Sequence, residues 1–377
     1  MQDLVQPQKA IELFLRKEGQ LLRTYIRPQV QNLPQEVTYS RNVFAPVTHL
    51  CKDRCSYCAF RQDDLPSPYM TEKDLLNLVQ VGRAKGCSEV LLTGGQSPEG
   101  RFSQARKWLD ERGYSCSEDY YIHLCQLVLD EGLLPHVNVG VTTLSYLKRL
   151  AEVAISGGLM LESVATGLRV NPDGPHQNSP SKDPSLRTQV LVDAGKARFP
   201  FTTGLLLGIG EARRDVVDAF LLLREIQDQY GHLQEVILQP FTPHSGTLWS
   251  NRPPCPLDYL LEVVRLAVGL LPDIPLQVPP NLQPTSNQLL LQVGCRDFGG
   301  ISPVTPDHVN PTNSWPSIHA LESSCSALGL TLRERLPVYP KYLREEGWVR
   351  PRVAHVLCRS GLARKDGYRC AGPNWSC

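Results

Sequence analysis

Three cysteines, Cys51, Cys55 and Cys58, follow directly on an apolar segment, Val43 to Leu50, that reads as a β-strand. The C-x3-C-x2-C spacing puts three thiolates on one short loop at a strand end, and thiolates are the preferred ligands of iron–sulfur clusters. A structural zinc site wants a fourth protein ligand and usually takes its cysteines as C-x2-C pairs. No second pair follows in this chain. The spacing therefore points to a cubane with three irons held by protein and one left open. A zinc site and plain buried thiols are the alternatives.

Composition sets the surroundings of that loop. In 377 residues, 41% hydrophobic and 20% charged content describe a globular protein with an ample core. A net charge of +1 provides no global field for nucleic acid or an anionic membrane. The N-terminus, Met1-Gln-Asp-Leu-Val-Gln-Pro7, lacks the basic head and apolar core of a signal peptide, and no run of 18 apolar residues occurs. A reducing cytoplasm is the expected compartment, with the other nine of twelve cysteines as small buried side chains or free thiols. Cys370 and Cys377 have no evident partner.

Strand-like and helix-like segments alternate, the mark of βα units around a parallel sheet. The strand candidates are Val43–Leu50, Glu89–Leu92, His136–Val139, Leu159–Ser163, Phe201–Leu207 and Glu235–Gln239. A helix is expected from Thr71, where Thr-Glu-Lys-Asp74 resembles a capping box, with Leu75, Leu78, Val79 and Gly82 on one face and Gly86 as the stop. Another runs from about Ala212 to Gln229, with Val216, Phe220, Leu223 and Ile226 at helical spacing. Six such units predict an α/β fold built on a partial, open (β/α)6 TIM-like barrel over residues 38–271. Residues 1–37 read as a helical extension, and the proline-dense stretch 272–340 as a segment closing the barrel mouth. Residues 341–377 form a tail, expected to be helical. There is no internal repeat.

In α/β barrels the loops after the strands carry the active site, and the informative residues fall there. After the second strand, Gly94 and Gly95 precede Gln96; they expose backbone to a ligand or simply form a turn. Tyr57 lies between the second and third cysteines, as a ligand contact or a rim aromatic. Glu162 and Ser163 end the fourth strand candidate, as hydrogen-bonding groups or a solvated strand end. Gly204 and Gly208 allow close backbone approach, and Glu211 is either part of that element or an acid at a helix N-terminus. Asp307, His308 and Asn310 sit in an apolar, proline-ordered stretch. They contact substrate, with His308 able to move a proton, or form a loop in which Asp307 caps a turn beside Pro306. Ser181, Lys182 and Asp183 bind substrate or make a solvated turn. Asn138, His176 and Arg198 are further candidates.

The cysteine spacing resembles the signature of the radical S-adenosylmethionine (SAM) enzymes. Other segments narrow the resemblance: Asn42-Val-Phe-Ala-Pro-Val-Thr-His-Leu-Cys51, Cys55-Ser-Tyr-Cys-Ala-Phe60, Ser179-Pro-Ser-Lys-Asp-Pro184, Phe201-Thr-Thr-Gly-Leu-Leu-Leu-Gly-Ile-Gly-Glu211, Glu235-Val-Ile-Leu-Gln239 and Gly299-Gly-Ile-Ser-Pro-Val-Thr-Pro-Asp-His-Val-Asn310. Together, from about Arg41 to Trp315, they resemble the deazaflavin-ring-forming synthases, the ring-closing half of FO synthase. The resemblance implies one 4Fe–4S cluster on Cys51, Cys55 and Cys58, with SAM at the open iron. It places Gly94, Gly95 and Gln96 at the methionyl ammonium, although an acid is usual where Gln96 stands. Tyr57 would lie beside the adenine, Glu162 and Ser163 at the ribose or ammonium, and Gly204, Gly208 and Glu211 on the adenine side, with Leu206 replacing the usual isoleucine.

The implied reaction is a carbon–nitrogen lyase and cyclase step. It closes 5-amino-5-(4-hydroxybenzyl)-6-(D-ribitylimino)-5,6-dihydrouracil to the deazaflavin, with loss of ammonia and consumption of SAM. Asn138, His176, Ser181, Lys182, Asp183, Asp307 and Asn310 are the substrate candidates, and His308 the catalytic one. A low-potential electron donor is required. One cysteine motif implies one radical centre, so the tyrosine-cleaving partner activity is expected on a separate polypeptide. The rivals are that partner half or a related menaquinone-pathway enzyme, either of which should lack the Ser302–Asn310 stretch, and a non-catalytic zinc or iron–sulfur module.

Overall fold

The computed structural model describes residues 6–138 and 140–369. Nine parallel strands form its sheet: β1 (Glu36–Thr48), β2 (Glu89–Gly94), β3 (Leu134–Asn138), β4 (Ser156–Gly158), β5 (Phe201–Leu207), β6 (Leu233–Pro240), β7 (Leu276–Gln277), β8 (Asp297–Ile301) and β9 (Thr331–Arg335). Strands β1 to β8 neighbour one another in order, and β8 returns to β1, which closes the ring. Strand β1 is long enough to serve three partners. Asn42–Thr48 pairs with β2, Thr38–Arg41 with β8 and Glu36–Ser40 with β9.

The expected TIM-like α/β barrel is present, but it is closed and eight-stranded rather than open and six-stranded, completed by two strands beyond the six read from periodicity. Strand β7 is two residues long and β8 contains Gly299-Gly300, so neither shows a strand period. Strand β1 starts seven residues earlier than its apolar run, because its first half carries Ser40 and Asn42. The fourth strand is Ser156–Gly158 rather than Leu159–Ser163. Glu162 has φ +67° and leaves the extended region, touching β5 through a single bridge to Leu205. Val139, the last residue of the third strand candidate, lies outside the described residues, as do Cys370 and Cys377.

Local signals account for the helices. Thr71 Oγ1 accepts the Asp74 N–H, the helix runs Glu72–Ala84, and Gly86 at φ +76° ends it. Leu75, Val79 and Gly82 are its buried face. A Cβ on Gly82 would stand 2.1 Å from Val43 Cγ2, so the glycine lets the helix lie directly on β1. The helix Arg213–Tyr230 buries Val216, Phe220, Leu223 and Ile226 and stops at Gly231, φ +69°. The N-terminal helices Pro7–Leu15 and Gly19–Gln31 pack on the helix Leu257–Leu270, and a helix at Pro351–Ser360 packs against Ser117–Asp130. No helix among the described residues is long and apolar enough to cross a membrane. The ten described cysteines are free thiols.

The barrel floor is closed by Arg335–Val338. The Pro337 carbonyl accepts Ser156 Oγ at 2.5 Å and Gln234 Nε2 at 3.3 Å. Arg335 donates from Nε to Asp297 Oδ2 at 2.6 Å and from Nη2 to Asp297 Oδ1 at 2.9 Å and Glu235 Oε2 at 3.2 Å. The Tyr339 hydroxyl donates to Asp297 Oδ2 at 2.7 Å. Arg335 and Asp297 are buried. Removing one partner of such a pair strands the other charge in the interior. Arg335→Ala is therefore expected to destabilise the fold by about 3–5 kcal/mol, read by denaturant unfolding. A loss under about 1 kcal/mol, the scale of a surface pair, would show that the floor is not held by this ion pair.

Candidate active site

The cysteine loop leaves the top of β1 and is tied down on both sides. On one side the Lys52 N–H donates to the Gln96 carbonyl at 2.8 Å, and the Gln96 N–H donates to Cys51 Sγ at 3.2 Å. On the other, the Arg54 N–H donates to the Asn178 carbonyl at 3.0 Å and to Ser179 Oγ at 3.1 Å, while the Ser56 N–H reaches the Pro175 carbonyl at 2.9 Å. Ser179 Oγ donates to Cys55 Sγ at 3.2 Å. Asp53, buried at 3% exposure, accepts the Ser181 N–H at 3.2 Å and the Ser181 hydroxyl.

This donor set fits a cluster. Burial pushes the Cys51 and Cys55 thiols up, so a thiolate there needs a cation beside it. Donors aimed at two of the sulfurs are the groups that tune a cluster-bound thiolate. Among the described residues no three His, Cys, Asp or Glu side chains converge on a single metal ion.

Gly94 and Gly95 pack against this loop. A Cβ on Gly95 would stand 2.1 Å from the Leu50 carbonyl oxygen and 2.5 Å from Cys51 Cβ; one on Gly94 would stand 2.0 Å from Tyr121 Oη. A side chain at Gly95 would thus displace the cysteine loop itself. The Gln96 side chain is occupied by the loop after β3: Oε1 accepts the Val141 N–H at 2.7 Å and Nε2 donates to the Val141 carbonyl at 3.0 Å.

The Ser179–Asp183 segment is neither a solvated turn nor an open ligand edge. Ser179 and Ser181 are buried supports of the cysteine loop. Lys182 pairs with Glu162 at a side-chain exposure near one tenth, and Arg187 Nε donates to the Ser181 carbonyl at 3.0 Å. Tyr57 Oη lies 2.9 Å from His176 Nε2, with His176 buried beneath the loop. Ser163 Oγ accepts the Ala165 N–H at 3.1 Å. Asp183 caps the helix Pro184–Lys196 through the Ser185 N–H at 2.9 Å and pairs with Arg169 at 3.0 Å. Arg198 lies apart from this group. It precedes β5, at the floor end, and stacks 4.9 Å over Trp348.

Gly204 lies inside β5, where a Cβ would stand 2.2 Å from the Ile237 carbonyl oxygen, so it serves strand packing. Gly208, at φ +84°, turns the chain at the top of β5. Glu211 locks that turn by accepting the Gly208 and Ile209 N–H groups at 2.8 and 2.9 Å and the Tyr259 hydroxyl at 3.0 Å. It is not an acid of the helix that follows, which begins at Arg213.

Across the mouth, Asp307 orders the 302–310 loop. It accepts the Val309 and Asn310 N–H groups at 2.9 and 3.0 Å and the Asn281 and Asn310 side-chain amides at 2.8 and 3.0 Å. Asn310 Oδ1 also meets His244 Nε2 at 3.1 Å. The His308 ring packs 5.3 Å from Phe44 and 5.7 Å from His49 (centroid distances), and burial, then His49, lower its basicity. Asp307, Asn310 and Asn138 face a cavity that runs down the barrel axis. Asp53, Ser179, Arg187, His244 and the lumen residues Ser40, Asn42, Gln234 and Glu235 were missed as site residues by sequence reasoning. Polar residues at every second position of the strands, such as Ser40 and Asn42, were the available signal.

Two outcomes are expected. Ser181→Ala leaves the Asp53 carboxylate buried and short of donors, a cost of about 1–3 kcal/mol, so amides 51–58 should exchange hydrogen faster while the barrel strands do not. Unchanged exchange there would mean that Asp53 does not anchor the loop. Glu162 yields a pH signature. Burial alone would raise its carboxyl, but the Lys182 and Arg187 charges outweigh burial and hold it below the ordinary range. Such a depressed group contributes stability above its unfolded value, about 4.3, which is lost as pH falls through the folded value. Wild type should lose more stability than Glu162→Gln between about pH 6 and pH 3 in urea unfolding; parallel pH curves would contradict this.

No protein-family model matches the chain. It is 43% identical over 336 residues to the 7,8-didemethyl-8-hydroxy-5-deazariboflavin synthase of Methanopyrus kandleri, covering 88% of this chain and 99% of that one. It is 42% identical to the FO synthase of Nocardia farcinica over 88% of this chain, and spans 40% of that protein's length. In fold it is similar to the FeFe-hydrogenase maturase HydG of Carboxydothermus hydrogenoformans, with a TM-score of 0.66 and 15% identity over 91% of this chain and 77% of that one. The family expected from the sequence motifs is therefore the one to which the relatives lead: the chain belongs to the 7,8-didemethyl-8-hydroxy-5-deazariboflavin synthase family.

Proposed function

We propose that the chain is the ring-closing radical SAM enzyme of deazaflavin synthesis. It converts 5-amino-5-(4-hydroxybenzyl)-6-(D-ribitylimino)-5,6-dihydrouracil to 7,8-didemethyl-8-hydroxy-5-deazariboflavin (FO), releasing ammonia, methionine and 5′-deoxyadenosine. The observation that carries the reading is the braced loop of Cys51, Cys55 and Cys58 at the mouth of a polar barrel lumen. Near-complete coverage of the Methanopyrus synthase favours this half of the pathway chemistry.

The three cysteines would hold a 4Fe–4S cluster, which with SAM supplies a 5′-deoxyadenosyl radical able to take hydrogen from the substrate. The chain's own residues bind, orient and keep out water. Gly94, Gly95 and the Gln96 backbone form the edge for the methionyl group. Tyr57, Glu162, Ser163 and the Gly208–Glu211 turn surround the nucleoside side. Asn138, Asp307 and Asn310 face substrate in the lumen, with Asp307 acting through the loop it orders. His308, whose basicity burial and His49 lower, would accept a proton as the ring forms. The cluster would need a low-potential electron donor, and the free thiols of the described residues suit a reducing cytoplasm.

The test is an anaerobic assay of reconstituted protein with SAM, dithionite and the hydroxybenzyl adduct. FO fluorescence, 5′-deoxyadenosine and ammonia should appear together, without the partner enzyme. Cys51→Ala, Cys55→Ala and Cys58→Ala should each abolish SAM cleavage. His308→Ala should slow FO formation by roughly 10²-fold or more and SAM cleavage much less. Tyrosine cleavage without ring closure would move the chain to the other half of FO synthase.

A further inference from the structure

Parallel barrels ordinarily fill their interior with layers of branched apolar side chains, but the lower lumen of this one is polar. Asn42 Oδ1, Gln234 Oε1 and Glu235 Oε1 line it, each buried and without a hydrogen-bond partner. Buried polar atoms are rarely left so, and three around one cavity are spare capacity for a ligand. The backbone makes room for this lining. A Cβ on Gly300 would lie 2.2 Å from Asn42 Nδ2, and one on Gly299, φ +73°, 2.2 Å from Gln277 Nε2. The glycine pair of β8 thus admits two amides into the barrel.

Charge decides what kind of ligand fits. Arg335 is the cation on this lining among the described residues, and its donors are taken by Asp297, Glu235 and the Leu336 carbonyl. His136, 2.7 Å from Ser156 Oγ through Nδ1, is kept neutral by burial and by Arg335. Burial and the nearby Asp297 carboxylate push the Glu235 carboxyl up, to about 8, and its Oε1 faces the lumen unpartnered. The lining offers neutral donors and acceptors, and no free cation to meet an anion.

We propose that the lower lumen is a polyol subsite, in which Asn42, Gln234 and Glu235 bind an uncharged hydroxylated chain and from which the phosphate ester of that chain is excluded. Identifying the chain as the ribityl group of the substrate rests on the ring-closure reading. Each hydroxyl of such a chain both donates and accepts, which matches the mixed, unpartnered lining.

The test is equilibrium binding of fluorescent FO to the reconstituted holoenzyme, beside its N10-methyl analogue and its 5′-phosphate ester. FO should bind at least about tenfold tighter than the methyl analogue, and the phosphate ester at least about a hundredfold more weakly than FO. Asn42→Ala and Gln234→Ala should each weaken FO about five- to tenfold and leave the methyl analogue unchanged. Equal binding of FO and the methyl analogue, or a phosphate ester bound as tightly as FO, overturns the proposal. The wild-type comparison needs no variant to fold. Ring closure is assayed on the same preparation. FO formation without chain discrimination removes the subsite and leaves the reaction, whereas discrimination without FO formation leaves the subsite and removes the reaction.

Discussion

Strand β1 carries both ends of this barrel. Its upper half is hydrogen-bonded to β2, and its lower half is held between β8 and β9. The cysteine loop springs from its top, and the Phe44 N–H donates to Thr305 Oγ1 at 3.0 Å, tying the 302–310 loop to the same strand. At its base, Thr38 and Ser40 hydrogen-bond Asp297 and Glu89 of the floor. The geometry of the mouth therefore depends on closing the ring. With β8 absent from its side, β1 would lose its register partner and the mouth loops would lose their common reference.

Rigidity of the cysteine loop comes from charges and donors placed underneath it. Ser179 donates to Cys55 and Ser181 to Asp53 of the loop itself, and the Glu162–Lys182 pair lies behind them. A buried ion pair of this kind adds little net stability compared with apolar packing; its value is in confining the loop to one arrangement. Glu162 pays for its place with a positive φ, which bends the chain after β4 out of the sheet and turns the carboxylate toward Lys182. Strain of that kind persists only when the surroundings over-determine it, and here Lys182 and Arg187 both do.

The lumen makes the opposite compromise. Replacing layers of Val, Ile and Leu by amides and acids forfeits apolar packing at the centre of the fold. The outer layer compensates: between sheet and helices the core is continuous, with Val43, Leu75, Val79, Leu92, Phe220 and Leu223 all fully buried. Stability and chemistry are thus assigned to different faces of the same strands, as the two-residue side-chain period of a strand permits.

Much of this was legible in the sequence. Thr71 and Gly86 bounded a helix, the alternation of units announced the barrel, and the cysteine spacing confined three thiols to one loop, because each of these is settled within a few covalently linked residues. Strands β7 and β8 were hidden, since two residues, or a pair of glycines, carry no period. The Ser179–Asp183 motif was visible as a pattern but not as a brace, and Glu211 gave no sign of the turn it locks, whereas a turn capped by Asp307 beside Pro306 was one of the two readings open. The sequence by itself determined which residues form the cysteine loop and which segments alternate around the sheet. Only the tertiary structure decided that Ser181, 128 residues away, would satisfy Asp53, and that the Gln96 amide, 45 residues away, would point at Cys51. Such contacts depend on strand order and register around a closed ring, which local propensity and spacing do not encode.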